Sequence, residues 1–204
     1  MARPQAADYH EKRTRYLSVA TQLFAEHGFH ATSITDIALA CNTSKSRLYH
    51  YFKSKEHVLY EILRDHANTL TSTMAPVIEE KGITPAKRLE NYAAHFLSTN
   101  VKSRAQHKLI LNELEALPEQ QRQEVSDLLR GPVTAIYDTL VEINPALADN
   151  EALKFPSAMM FLGMVNWSHT WFSGTGDLSV ESFAKLICDT FLGGFGNVNL
   201  TQKP

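Results

Sequence analysis

Between Cys41 and Lys55 the chain carries four Lys or Arg residues and no acid. Lys45, Ser46, Arg47, Tyr49 and His50 fall on the outward side of a short helical segment whose Leu48 and Phe52, four residues apart, face inward. Such donors and flat rings suit phosphate oxygens and base edges. Lys45 can donate to guanine O6 or N7, and the Tyr49 ring can meet bases or a phosphate. Ser46 is small enough to let a helix approach the base edges. Thr35, near the start of the preceding helix, is also within reach of a base. Ser33, His50, Tyr51 and Lys55 are better suited to phosphates, which fix register without reading sequence. Ser44 completes this DNA-facing set as the cap of the second helix.

The elements that must carry these groups are legible around them. Residues 1–10 mix Pro, Ala and polar groups without periodicity and read as a flexible arm. From about Glu11 to His27, Tyr16, Leu17, Ala20, Leu23 and Phe24 recur at helical spacing, and Gly28 follows as a helix-ending residue. Ser33 caps a short helix through Ile34, Ile37 and Ala38, Ser44 caps the next, and Ser54 caps a long fourth helix with Val58, Leu59, Ile62 and Leu63 inward. Asn42 stands in the turn between the two short helices, where Asn tolerates the left-handed conformation better than other non-Gly residues.

Beyond about residue 80 the texture changes to longer amphipathic helices. Thr84-Pro85 reads as N-cap and first helical position of a helix through Tyr92, Phe96 and Leu97. A helix from about Ser103 to Leu117 ends before Pro118. Glu119 to about Ile143 is helical with a kink or break at Gly131-Pro132. Two strong segments, about Asn150–Phe172 and Ser179–Phe195, flank a loop that ends in a capping serine. No stretch alternates like a strand. The expected fold is all-α, about nine helices, with an N-terminal helix-turn-helix domain over 1–56 and a C-terminal helical domain over 57–204.

Composition narrows the class. At 204 residues, 44% apolar and 21% charged, the chain is long enough for a sizeable core. No run of apolar residues is long enough to span a membrane, and the N-terminal residues lack the apolar segment of a secretory signal, so the expected location is cytoplasmic. Cys41 and Cys188 form neither a CxxC site nor a disulfide framework and read as small buried hydrophobes. The overall charge of −2 hides a basic first third, where residues 1–66 carry nine Lys or Arg against seven Asp or Glu. A basic patch on a mildly acidic chain suits directed DNA contact. There is no HExxH, P-loop, GxSxG or dinucleotide fingerprint, and the nine histidines are scattered, so no enzyme, metal site or cofactor is expected.

Residues 11–60 resemble the DNA-binding domain of the TetR family of transcriptional regulators. The resemblance rests on Phe24, Gly28, Phe29, Thr32-Ser33-Ile34, Asp36-Ile37-Ala38, Ser44-Lys45, Leu48-Tyr49, Phe52 and Ser54-Lys55-Glu56. The family usually has Gly where Asn42 stands. The resemblance implies a homodimer on double-stranded operator DNA, with residues from about 150 to 195 forming an intermolecular four-helix bundle. The residues agree independently. Phe155, Met159, Phe161, Leu162, Met164, Val165, Trp167 and Trp171 are too many large apolar groups for one helix face, and Phe183, Leu186, Ile187, Phe191 and Leu192 repeat the excess.

The same resemblance implies a small-molecule effector among the middle helices. Polar groups on apolar faces mark candidates: Tyr92, His95 and Phe96; Leu109, Asn112 and Glu113; Met160, Met164, Asn166, Trp167 and Trp171, with His169 beside them. Each polar member also reads as a satisfied core or interface group, and the two Trp residues fit the pocket or the dimer core equally. A weaker resemblance, carried by Asn166 to Phe172 and by Leu111 to Pro118, is to TetR-type repressors that sense acyl-CoA thioesters, with phenylacetyl-CoA one example. Lys102, Arg104, Lys108, Arg122 and Arg130 are candidate cations for CoA phosphates. The alternative is a constitutive or nucleoid-type helix-turn-helix binder without an effector.

Overall fold

The computed structural model describes residues 3–195. They form nine α-helices: α1 Arg3–His27, α2 Ile34–Ala40, α3 Lys45–Tyr49, α4 Lys55–Glu79, α5 Pro85–Lys102, α6 Arg104–Asn112, α7 Glu119–Ile143, α8 Glu151–Trp167 and α9 Val180–Phe195. Short 3-10 turns stand at Leu114–Ala116, Pro145–Leu147 and Ser168–Thr170, and no strand occurs among the described residues. Packing divides the described residues into two units, one of residues 3–67 with 105–126 and the other of 68–104 with 127–195. Residues 57–67 and 105–126 therefore pack with the helices of the basic N-terminal module, across the line at residue 56 expected from the sequence.

In the first unit, Phe24 of α1, Ile37 of α2, Leu48 of α3, Phe52, and Leu59 and Leu63 of α4 are almost wholly buried. Burying such side chains contributes roughly 1.5–3 kcal/mol each, which is what holds helices as short as α2 and α3 in place. Side chains finish the ends of these helices. The Gly28 N–H donates to Phe24 O at 2.9 Å, with Gly28 at φ +88° closing α1 in the left-handed region. Asp36 N donates to Ser33 Oγ at 3.2 Å while Ser33 N donates to Asp36 Oδ2 at 2.8 Å, a complete capping box. Arg47 N donates to Ser44 Oγ, and His57 N to Ser54 Oγ. Asn42, at φ +51°, is the one non-Gly residue with positive φ among those described.

Residues 3–10, expected as a flexible arm, are instead helical and continue α1 toward the N-terminus. Periodicity was the wrong guide there. The segment is held by a Lys12–Asp8 ion pair one turn apart and by the Tyr9 ring stacked on Tyr51 of the following module, a contact made across sequence.

The second unit is built around a core of Leu70 and Met74 (α4), Leu89, Tyr92, Phe96 and Leu97 (α5), Ile136 and Leu140 (α7), Phe161 and Val165 (α8), and Phe183, Ile187 and Phe191 (α9). α5 packs chiefly along α9. Thr84 caps α5 by accepting from Lys87 N, with Pro85 at the first position, as the sequence predicts. The segment expected as one helix from Ser103 to Leu117 ends earlier, at Asn112, and continues as a 3-10 turn. α7 is continuously helical through Gly131-Pro132, so of the kink or break expected there the break does not occur. Pro132 has no N–H to give to Leu128 O four residues back, and the Thr71 hydroxyl of α4 donates to that carbonyl at 2.8 Å instead. Cys41 and Cys188 are both free and buried, and burial pushes the Cys188 thiol up to about 12.

Candidate nucleic-acid interface and cavity

α3 is positioned from behind by Leu48 and Phe52, each 2% exposed, while Lys45, Ser46, Arg47, Tyr49 and His50 are all exposed. The Lys45 ammonium lies 6.0 Å from the Tyr49 ring centroid, so the two groups assigned to base edges share one face. Thr35 is exposed on the first turn of α2.

The hydroxyls divide by what they still have to offer. Ser33 Oγ donates to Asp36 Oδ2 at 2.7 Å and accepts from Asp36 N, so its proton is committed to the cap. Those same bonds from Ser33 hold the Asp36 carboxyl below its ordinary range. Ser44 Oγ only accepts from Arg47 N and keeps its proton for an outside acceptor. Lys55 is turned inward: its Nζ donates to Phe29 O at 2.9 Å and lies 4.3 Å from the Phe29 ring centroid. It fastens the turn between α1 and α2. Tyr51 is half-buried, stacked on Tyr9 and edge-on to Tyr16.

Behind this surface, Glu61 of α4 is 7% exposed and accepts from Arg13 and Arg64 at 2.5 Å each. His57 Nδ1 accepts from Lys53 N, which leaves Nε2 to carry the proton toward Glu61 Oε1 at 3.3 Å. These groups tie α1, α4 and the residues after α3 together, so Arg13 and Arg64 are internally compensated, while Lys45 and Arg47 of α3 have no ion pair among the described residues. His66 and His107 are both buried, with His66 Nε2 3.4 Å from His107 Nδ1, and burial drives the His66 imidazole down to about 4.

The second unit holds a cavity of about 730 Å³ between α4, α5 and α7, lined by Thr71, Ala75, Ile78, Arg88, Tyr92, Asp127, Arg130, Gly131, Pro132, Thr134, Ala135, Asp138 and Thr139. Arg88 pairs with Glu142 at 2.5 Å, but its buried Nε has no partner. Burial raises the Tyr92 phenol, opposed by a hydrogen bond with Thr139.

Of the residues expected to meet an effector, Tyr92 lines this cavity. Phe96 is core, and His95 hydrogen-bonds Thr73 at 2.9 Å. Leu109, Asn112 and Glu113 belong to the first unit: Leu109 is buried, Asn112 donates to Lys108 O and Glu113 accepts from Phe29 N at 3.5 Å. Asn166 is half-buried, and its backbone carbonyl accepts from His169 Nδ1. Met160, Met164, Trp167 and Trp171 are exposed, at 64%, 36%, 68% and 53%, and with Phe155 and Met159 they form the outer face of α8 and the turn after it.

Among the candidate cations, Arg130 lines the cavity and pairs with Asp127, whereas Arg104 donates to Phe172 O, Lys108 to Ala25 O, and Arg122 pairs with Glu115. Lys102 is exposed at the end of α5. Sequence reasoning missed Arg88, Thr71, Thr134 and Thr139; the irregularity at Gly131-Pro132 was the available signal. It also missed Asn100, which is 1% exposed with both amide atoms unpartnered.

Two family models match the chain. Residues 17–62 match the tetR family of bacterial regulatory proteins, and residues 82–195 match the tetracyclin repressor-like C-terminal domain. The chain belongs to the tetR family. Members are DNA-binding transcriptional regulators, not enzymes, and commonly bind operator DNA as dimers under small-molecule control. A TetR-family transcriptional regulator from Bordetella parapertussis 12822 matches this one with TM-score 0.82 and 36% identity over 92% of this chain and 97% of its own. The HTH-type transcriptional repressor KstR2 of Rhodococcus jostii is 27% identical, covering 91% of this chain and 92% of itself. AibR, solved in complex with isovaleryl coenzyme A and operator DNA, shares the fold at TM-score 0.74 and 23% identity, over 88% of this chain and 97% of its own. No helix among the described residues of this TetR-family chain is long and apolar enough to cross a membrane.

Proposed function

We propose that this chain is a repressor that leaves a palindromic operator in the cytoplasm when a small molecule binds, with an acyl-CoA thioester such as phenylacetyl-CoA as the effector class. DNA reading belongs to residues 1–56, and effector binding and dimerisation to 57–204. The observation that carries effector control is the cavity of about 730 Å³, whose apolar wall is interrupted by polar groups, Arg88, Tyr92, Arg130, Asp127, Asp138 and three threonines. Arg88 and Arg130 suit the phosphates or carbonyl of an acyl thioester. The isovaleryl coenzyme A bound by AibR supports the same ligand class. Lys45, Tyr49, Ser46 and Thr35 meet the bases, while Ser44, His50 and Tyr51 meet phosphates.

A second copy covers the outer face of α8. Phe155, Met159, Met160, Met164, Trp167 and Trp171 are too large an apolar patch for a free surface. An isologous pair gives the two-fold symmetry that a palindrome requires. Met160→Arg with Trp167→Arg should shift the sedimentation coefficient to that of a monomer.

In the mechanism, the effector binds the released conformation more tightly, by about 1–3 kcal/mol for ordinary coupling. Movement of α4 then takes the two reading helices off successive major grooves. Protein-bound DNA selection followed by sequencing, repeated with a panel of CoA thioesters, tests all of this together. Enrichment of a palindrome that a thioester abolishes is the expected result. A palindrome unaffected by every thioester removes that effector class, and enrichment without any symmetric site favours the constitutive binder.

A further inference from the structure

We propose that Tyr9, at the N-terminal end of α1, is a positioning residue for a cleft that grips one phosphodiester of the DNA backbone beside the reading helix. The proposal rests on the reading of α2 and α3 as the DNA-contacting element and adds a part of the chain outside it. The cleft has a volume of about 390 Å³ and is lined by Tyr9, Ser44, Ser46, Arg47, His50 and Tyr51. No acid borders it.

Its chemistry differs from the charges around it. Lys12 is taken up by Asp8, and Arg13 and Arg64 by Glu61. Arg47 has no ion pair among the described residues and is exposed at the cleft wall. The Ser44 hydroxyl keeps its proton, as its oxygen only accepts from Arg47 N. A guanidinium, an imidazole and unspent hydroxyl donors without a neutralising carboxylate are complementary to a singly charged phosphodiester. Ser46 and Arg47 belong to the same helix that presents Lys45 and Tyr49, so a phosphate held there lies on a strand flanking the groove being read.

Tyr9 sets the geometry of the cleft through Tyr51. The two rings stack with centroids 4.6 Å apart and planes 16° from parallel, and Tyr16 meets Tyr51 edge-on at 5.1 Å. Tyr51 is thereby held between one stacked and one perpendicular ring, both from α1, which fixes where its phenol sits before DNA arrives. Tyr9 itself is 42% exposed, so its burial in the core is not what keeps it there.

The test compares affinities of the full chain for a duplex it has selected from random DNA and for an unrelated duplex of the same length. Tyr9→Ala should weaken both by a similar factor, on the order of 3- to 10-fold, as expected for loss of one aromatic pair. Tyr9→Phe keeps the stack and should bind within about twofold of the parent. In a Tyr51→Ala background, Tyr9→Ala should cost nothing further, a result that general loosening of α1 does not produce. Arg47→Gln should reduce the salt slope by about one on both duplexes.

Unchanged binding by Tyr9→Ala, loss confined to the selected duplex, or an undiminished loss in the Tyr51→Ala background each overturns the proposal. If Tyr9→Ala melts early, the Arg47→Gln salt slope carries the test, and an unaltered slope overturns it. Inorganic phosphate added at matched ionic strength should not displace DNA; displacement would mean that the cleft serves a free anion. A chain that selects no DNA at all defeats the reading of the module, whereas selection with an indifferent Tyr9→Ala defeats only this inference.

Discussion

Replacing Thr71 with valine removes one hydroxyl while keeping the branched shape of the side chain. That hydroxyl donates to Leu128 O at 2.8 Å. Within α7 the N–H due to reach Leu128 O belongs to position 132, which is proline. Valine at 71 therefore leaves a partly buried carbonyl without its donor. An unsatisfied buried acceptor costs about 1–3 kcal/mol, and the half-buried position of Thr71 sets the lower part of that range, about 1–2 kcal/mol. For a chain of this size that lowers the melting temperature by about 2–8 °C. Pro132→Ala restores the missing N–H, so in that background the same Thr71→Val change should cost under about 0.5 kcal/mol. The coupling between the two positions is then about 1 kcal/mol, measurable by urea denaturation of the four proteins at one fixed concentration, since dimerisation makes stability concentration-dependent. Equal losses in both backgrounds would refute the assignment of Thr71 as the donor that replaces the proline N–H.

His66 is neutral in the fold down to about 4 but titrates near 6.5 when unfolded, so the unfolded chain binds the extra proton between those values. Stability is fully present above pH 6.5 and falls as pH drops toward 4, by up to about 3 kcal/mol, and His66→Gln should flatten that part of a denaturation-versus-pH curve. Asn42→Ala at φ +51° should destabilise by roughly 1 kcal/mol, with Asn42→Gly close to neutral, as read by thermal melts. Asn100→Leu removes two unpartnered amide atoms from the core and should raise the stability of the ligand-free protein by about 1 kcal/mol in denaturant titrations.

The local signals in the sequence proved dependable where a side chain acts on its own backbone. Ser33, Ser44, Ser54 and Thr84 cap the helices they were expected to cap, Gly28 ends α1 in the left-handed region, and Asn42 takes the positive φ that its turn demands. These outcomes depend on atoms within four residues of each other, which spacing alone specifies. Signals that depended on a partner far along the chain did not carry. Pro132 pointed to a kink or break, and the donor that meets the carbonyl it leaves unpaired, Thr71, is 57 residues away in α4. Residues 3–10 lacked periodicity because their anchor is the Tyr51 ring. The inward turn of Lys55 onto Phe29 O was equally invisible, since a lysine beside a DNA-facing helix has the same type and spacing whichever way it points.

The candidate site divides along the same line. Side-chain type and a 3.6-residue period suffice for the helical class, for α3 with its outward donors and for the apolar excess on α8. Which polar groups gather into one place depends on how the helices pack. Apart from Tyr92, the residues expected to meet an effector divide among a core, an exposed α8 face and the first packing unit. The cavity in the second unit is walled instead by Arg88, Thr71, Thr139 and Arg130 beside Tyr92. A cavity is the space that packing leaves between α4, α5 and α7, and no periodicity within one helix encodes the shape of the gap against its neighbours.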